Sequence, residues 1–426
     1  MNNLTNTLFV FTTSPAGLGH IRVMDAIKDG KPNGITTVDI GIVDLKANRV
    51  HDLGSRVTFF RKLTEFYQTN PLAESFVTQI YTKFLRRHTQ EVVKNFRNIA
   101  KEYSNYKTWV VISTHFALAH TISAAKEKLE KELGIKIITC VVVTDDSPQK
   151  IWAVKNSNLT FVASEQTKIS LSKFFPKDQQ DSVKAISFPI AQRLSQNMTT
   201  SEFQFVINQT DPKQDKKIQI EIPISGAAVQ LTFFQKFIEK LSRENYLFTV
   251  IGQESMLTKK FFDDIQRLPR VQISVGKDSW QTVKFYESMF YQANRPSIEI
   301  TKPSEQTFKA ILNPRQRGGV ILLLTPPIGR QEYDNLNFLT RNGLMPTEIE
   351  GNQLFVDSDL TKWIPKAKTW RAIKLPDDPI AAADFVKKLK ANGIFYAMLS
   401  AVIPDKPELK DNGVQMIWNE IEKLTN

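Results

Sequence analysis

The sequence predicts an α/β protein made of two halves, each a parallel sheet with helices on both faces. Two observations carry this. Short β-branched runs alternate with helical stretches up to about residue 326, and a polar, poorly periodic stretch at 195–217 divides the alternation in two. Size agrees: 426 residues exceed one ordinary domain, and 41% apolar residues suffice for real cores.

In the first half, runs at 8–11 (LFVF), 36–45, 109–113 (WVVIS), 136–143 and 159–164 read as buried strands, because they are dense in β-branched residues. Helical stretches lie between them at 21–28, about 56–103, 117–133 and 165–174. Strand–helix alternation of this kind means parallel strands covered on both faces. The second half repeats it, with strands at 218–225, 246–252, 270–275, 297–300 and 318–326 and helices at 230–243, 257–268, 279–291 and 304–312. No short repeat is visible. The division expected is an N-terminal domain over 1–195, a linker over 196–217 and a C-terminal domain over 218–400. A last helix within 401–426 is expected to pack back on the first domain.

Composition excludes several classes. The single cysteine, Cys140, lies in an apolar run and reads as a buried small hydrophobe, so no internal disulfide framework is possible. No run approaches the roughly 18 apolar residues of a membrane span. LFVF is too short for a signal-peptide core and lacks a basic flank, so the chain is expected to stay in the cytoplasm. Asn158, Asn197 and Asn208 match the glycosylation pattern by chance on that expectation. The net charge of +12 favours an anionic partner: nucleic acid, a sugar nucleotide's diphosphate or an anionic bilayer. Nucleic acid is the weakest of these, since no recognised binding motif appears.

The stretch TTSPAGLGHIRVMDAI (12–27) places a glycine turn after the first strand. In parallel sheets ligands bind where loops leave the carboxyl ends of strands. Gly17 and Gly19 let backbone approach a ligand, and the succeeding helix offers free N–H groups to an anion. Asp145 ends another buried strand, where it serves either as a proton acceptor or as a turn and capping residue. His115 is a substrate contact or a helix cap. Lys302 follows the strand at 297–300, where it is either a cation placed for a diphosphate or a solvated loop lysine; Thr307, at the start of the next helix, either bonds phosphate or caps. Between 57 and 103 aromatic and basic residues interleave: Phe59, Phe60, Arg61, Lys62, Phe66, Tyr67, Tyr81, Lys83, Phe84, Arg86 and Arg87. Such a segment is either a pair of ordinary helices with an aromatic core stripe or a basic amphipathic surface for anionic headgroups.

The ordered set of segments resembles the monogalactosyldiacylglycerol synthase and processive diacylglycerol glucosyltransferase family, relatives of MurG-type glycosyltransferases. The segments are GLGHIRVMDAI, VISTHFALAH (111–120), VVTDDSPQKIW (142–152), FVASEQTKISL (161–171), FPI (188–190), TKPSEQTFKAIL (301–312) and PPIGRQEYDNLNFL (326–339). The resemblance covers roughly residues 8–345. It implies the GT-B fold, two Rossmann-like domains facing across a cleft that holds a nucleotide-sugar donor. It further implies inverting, metal-independent transfer of a hexose, with a UDP-sugar as co-substrate and no cofactor, to a lipid hydroxyl such as that of diacylglycerol. His20, with Asp145, becomes the candidate catalytic base. Gly17, Gly19, Gly226, Lys302, Ser304, Thr307, Gln331, Glu332 and Asn335 become candidate donor contacts, and His115 with the 59–87 aromatics and basics the acceptor and membrane side. That implies a peripheral protein on the cytoplasmic membrane face.

The chain also departs from the family. Leu18 replaces a middle glycine, the second-domain glycine loop is reduced to Gly226, and Ser304–Glu305–Gln306 replace a glycine pair. The acid that would hold the donor ribose aligns with Ala310. A second reading is therefore open: a catalytically degenerate GT-B protein that binds membranes or partners. An epimerase of the same fold would need more acidic and histidine groups than the sequence places near the predicted rim.

Overall fold

The computed structural model describes residues 4–14, 17–41, 71–224, 228–327 and 329–425. The chain forms two compact units. One comprises residues 1–191, 329–331 and 412–426; the other comprises 192–328 and 332–411.

The first unit is a six-stranded sheet, every pair parallel, in the order β2-β1-β3-β4-β5-β6. Its elements are β1 (Thr7–Thr13), α1 (Leu18–Asp29), β2 (Thr36–Gly41), α2 (Pro71–Arg87), α3 (Gln90–Glu102), β3 (Thr108–Ser113), α4 (Phe116–Leu133), β4 (Lys136–Val142), β5 (Leu159–Val162), α5 (Glu165–Ser172) and β6 (Val183–Ala185). All seven residues of β1 are buried, as a central parallel strand requires. The single long helix expected at 56–103 is not continuous. Its described part breaks at His88–Thr89 into α2 and α3, and 56–70 lie outside the described residues. α3 turns Val92, Val93, Phe96 and Ile99 inward at helical spacing, against the core that holds Trp109. α4 ends on Gly134 at φ 63°, the left-handed position that glycine occupies without strain.

The second unit repeats the plan: six strands, again parallel, in the order β12-β11-β10-β7-β8-β9. It runs α6 (Thr200–Thr210), β7 (Ile218–Pro223), α7 (Leu231–Leu241), β8 (Tyr246–Gln253), α8 (Lys259–Ile265), β9 (Val271–Gly276), α9 (Ser279–Ser288), β10 (Ile298–Thr301), β11 (Val320–Leu323), α10 (Arg330–Arg341), β12 (Ala372–Lys374), α11 (Pro379–Ala391) and α12 (Ile394–Met398). One sheet face is apolar, with Ile218, Ile220, Phe248, Ile298 and Val320 in the main core. The other face carries buried Glu299, which accepts from the Tyr286 hydroxyl at 2.6 Å and pairs with Lys309.

Half of the stretch 196–217, expected as a linker or a decorated crossover, is α6. Its composition is polar, but Thr199 and Glu202 form a capping box that starts a helix. Glu202 then fastens α6 to the strand edges: Arg295, just before β10, reaches it at 2.5 Å, and Arg317, just before β11, at 3.2 Å. The expected helix at 304–312 is a tight 3-10 segment, Glu305–Ile311, almost wholly buried. The strand β12 at the sheet edge has no counterpart among the strands read from the sequence.

The final helix α13 (Gly413–Thr425) belongs to the first unit. Trp418 packs edge-on to Phe9 and Phe11 and donates its indole N–H to the Ile27 carbonyl at 3.1 Å. Gly413 admits no side chain, since a Cβ there would lie 2.0 Å from the Ser187 carbonyl oxygen. Cys140 is buried in β4, and burial pushes its thiol up to about 12, so it is inert packing.

Glu202 gives a test of the α6 anchor. Burial alone raises its carboxyl, but the Thr199 N–H and the guanidinium groups of Arg295 and Arg317 outweigh it and hold the group at about 2, against 4.5 unperturbed. A depressed carboxyl stabilises the fold above its unfolded value and loses that contribution as pH falls through the folded one. The gap in melting temperature between wild type and Glu202→Gln is therefore largest above about pH 4.5 and closes toward pH 2. A gap that is constant across this range removes Glu202 from the anchoring role.

Candidate functional site

Each unit carries one rim where the carboxyl ends of parallel strands meet, and the candidate residues lie on these two rims. On the first unit, hydroxyl-bearing residues end β1, β3 and β4. Thr12 and Ser113 share a hydrogen bond of 2.6 Å across paired strands. The Thr114 hydroxyl lies within hydrogen-bond reach of the Thr13 hydroxyl, at 3.0 Å, and of the His20 carbonyl, at 2.9 Å. Thr144, after β4, meets His20 Nδ1 at 3.3 Å. The first turn of α1 is thus held by backbone and by ring.

His20 is also walled by rings. His115 stands edge-on to it at 4.9 Å, and Trp152 lies 6.1 Å away. Phe116 stacks on His115 at 4.9 Å and meets Trp152 at 5.6 Å; Tyr81 of α2 reaches Phe116 at 6.3 Å. His115 occupies the N-cap position of α4, but its side chain makes no capping bond. Its ring stands against His20 instead. Gly17 precedes α1 in an extended conformation that any residue adopts, and a Cβ there would touch only His20 Cδ2, at 4.0 Å. What Gly17 leaves is open space beside His20. Gly19 lies inside α1, half-buried.

Asp145 is half-buried at the end of β4, next to Thr144. Its neighbour Asp146 points away into the fold. Asp146 Oδ1 accepts from Ser164 at 2.5 Å and Thr167 at 2.8 Å, tying the start of α5 to this loop. His120, not singled out in the sequence, is structural: Nε2 donates to the Ile151 carbonyl at 2.8 Å and so fixes the segment that presents Trp152. The carbonyl partner identifies the Nε2–H tautomer.

α2 turns two faces. Inward, Glu74 accepts from the Lys150 N–H at 2.9 Å and Ser75 from the Lys150 ammonium at 2.6 Å. Outward, Phe76, Val77, Ile80, Tyr81 and Phe84 are exposed, Phe76 by 64%, and Lys83 and Arg87 are exposed beside them. The exposed aromatics and aliphatics fall at i, i+4 and i+8, on one face of this helix. Arg86, expected on the outward face, is half-buried, and its charge is felt by His120. Phe59, Phe60, Arg61, Lys62, Phe66 and Tyr67 lie outside the described residues.

On the second unit several polar groups of the rim after β10 meet one another. Lys302 Nζ lies 3.0 Å from Glu332 Oε1. Asn335 donates to the Pro303 carbonyl at 3.1 Å, and Glu332 and Asn335 are both buried. The three candidate donor contacts of α10 do not share one face. Glu332 and Asn335 share a buried face of α10 and hold 302–303, while Gln331 is half-exposed on another face. Ser304 and Thr307 are buried, joined by a backbone bond of 2.9 Å, and the Thr307 hydroxyl has no partner. Ala310 is fully buried in the same 3-10 segment. Gly226 lies outside the described residues; just beyond it, Ala228 and Gln230 take left-handed backbone at φ 50° and 61°, where glycine is the usual choice. Among the described residues no group of three or more His, Cys, Asp or Glu side chains forms a metal cluster.

No family model matches the sequence, and no curated protein matches it. Solved structures do. The UDP-GlcNAc 2-epimerase of Neisseria meningitidis, bound to UDP-GlcNAc, is similar over 98% of this chain and 99% of its own, with TM-score 0.53 and 12% identity. The S. aureus MnaA–UDP co-structure is similar over 98% and 96%, with TM-score 0.50 and 9% identity. The fold is GT-B. MurG of Acinetobacter baumannii, at TM-score 0.46 and 11% identity over 98% of this chain and 99% of its own, adds no weight to that assignment.

The geometry around His120 makes a prediction. Burial pushes its imidazole down from 6.5 to about 4, the Ile151 contact working against this and the Arg86 charge with it. The neutral ring's contribution to stability is present above about pH 6.5 and is lost as pH falls toward 4. Imidazole ¹H–¹⁵N spectra are expected to show His120 as the neutral Nε2–H tautomer at pH 6; a charged ring there contradicts the packing.

Proposed function

We propose that this GT-B protein is a glycosyltransferase that moves a sugar from a nucleotide donor to the hydroxyl of an amphiphilic, lipid-like acceptor. The observation that carries the proposal is the run of rings in the first unit. Tyr81, on the exposed face of α2, leads through Phe116 to Trp152 and His115, and these border His20. An apolar chain lying on α2 meets Tyr81 and half-buried Phe116, and buried His115 and Trp152 join that point to the half-buried imidazole of His20. Exposed Lys83 and Arg87 suit an anionic bilayer, and the net charge of +12 is in keeping with that surface. No helix among the described residues is long and apolar enough to cross a membrane, so the membrane contact proposed is peripheral.

In this reading His20 takes the proton from the acceptor hydroxyl. The oxygen attacks the anomeric carbon, the bond from that carbon to the donor phosphate oxygen breaks, and the nucleoside diphosphate leaves with inversion. Imidazole suits the step because it ordinarily titrates near neutrality. The second unit holds the donor; the Neisseria epimerase and MnaA were solved with a UDP-sugar and with UDP, which supports a uridine donor. A hexose, diacylglycerol as the acceptor and metal independence complete the proposal. The competing reading is a binding module without turnover. It is favoured by Ala310, buried where the family resemblance implies a ribose-binding acid.

A panel of nucleotide sugars with diacylglycerol-containing vesicles, read by nucleotide release, separates the two. Release with one donor supports transfer; none with any donor leaves the binding module. With the accepted donor, His20→Ala is expected to lower turnover by about 10²–10⁴-fold, the usual contribution of a general base, with little change in melting temperature. Near-normal turnover moves the base elsewhere, Asp145 first.

The α2 face is tested separately. Phe76→Ser with Phe84→Ser is expected to release the protein from phosphatidylglycerol vesicles in sedimentation while leaving its melting temperature unchanged, since both side chains are exposed. Equal sedimentation of wild type and variant, or equal binding to neutral vesicles, ends the membrane proposal.

A further inference from the structure

We infer that the Lys302–Glu332 ion pair is a built-in competitor for the donor's phosphates: Glu332 occupies the cation a diphosphate needs and keeps nucleotide affinity low until the carboxylate is displaced. This rests on the nucleotide-sugar reading of the second unit. Lys302 is the first residue past β10, on the rim of strand ends, and its side chain is 31% exposed, so it meets both solvent and Glu332. Glu332 is only 2% exposed. It sits in the first turn of α10, where the helix dipole favours a carboxylate. One buried carboxylate thus neutralises both a lysine and a helix start, the two features that draw anions to such rims.

The clamp is doubled. Asn335, one turn along the same face, holds the Pro303 carbonyl at 3.1 Å, so residues 302 and 303 are both pinned to α10. Glu305 brings a further carboxylate to the same loop. A diphosphate that takes Lys302 draws an ammonium away from a buried carboxylate, an unfavourable change. Replacing Glu332 by Gln keeps the size, removes the charge and releases the lysine.

The test is calorimetric titration of the full chain with UDP, at low and high salt, with thermal melts as a fold control. Glu332→Gln is expected to bind UDP roughly three- to tenfold more tightly than wild type, the scale of a half-buried charge pair. The gain disappears in the Glu332→Gln/Lys302→Met double variant. If wild type binds UDP and Glu332→Gln binds it equally or less tightly, the competitor role is overturned and the nucleotide reading stands. If neither protein binds UDP, both fall. At high salt the lysine–phosphate contact is screened more than the largely buried Lys302–Glu332 pair, so the gain of Glu332→Gln over wild type is expected to shrink. If Glu332→Gln does not fold, Glu332→Ala frees the same lysine, and UDP binding by it no tighter than wild type's overturns the inference.

Discussion

Parallel pairing is the constraint on which the rest depends. A strand that pairs in parallel with its neighbour must be followed by a crossover, and the crossovers cover both faces of each sheet. That requirement makes β1, β3 and β4 almost uniformly buried and gathers their carboxyl ends on one rim. Hydroxyl groups collect at the ends of these segments. Thr12, Thr13, Ser113, Thr114 and Thr144 stand there, and because they are adjacent in register they bond to one another and to His20. The surroundings of His20 are a consequence of sheet topology.

The same logic separates adjacent residues in the β4 loop. Asp145 and Asp146 are chemically equal, but successive residues at a strand end point in different directions. Asp146 is buried and spends its acceptors on Ser164 and Thr167, which fixes the start of α5. Asp145 remains at the rim. His115 and His120, five residues apart on one strand-to-helix turn, divide in a similar way. One ring stands against His20, and the other, turned into the fold, anchors the segment carrying Trp152.

In the second unit the strand-end groups satisfy each other. Buried polar side chains need partners. Lys302, Glu332 and Asn335 find theirs in and around the loop after β10, and Thr301 bonds Gln306 at 2.6 Å. A ligand that takes Lys302 there must exchange one contact for another. The first-unit rim is different: it leaves open space beside Gly17 and an exposed apolar helix nearby.

The sequence by itself determined the two-half α/β architecture, because β-branched runs and helical periodicity are local properties that survive without tertiary context. It placed His20, His115 and Asp145 on a common rim, since strand ends and glycine turns are legible one segment at a time. It left 196–217 open between a linker and a decorated crossover, where a capping box hides in polar composition, and it missed the edge strand β12, three residues long. Only the tertiary structure decided which way side chains point and what they meet. It turned Phe76 and Phe84 outward and Arg86 inward, and it brought Thr144 to His20 across 124 positions of chain. It also gave Glu332 to Lys302 although the two are thirty residues apart in sequence. Contacts of that range depend on strand order and helix rotation, which no short window of sequence encodes.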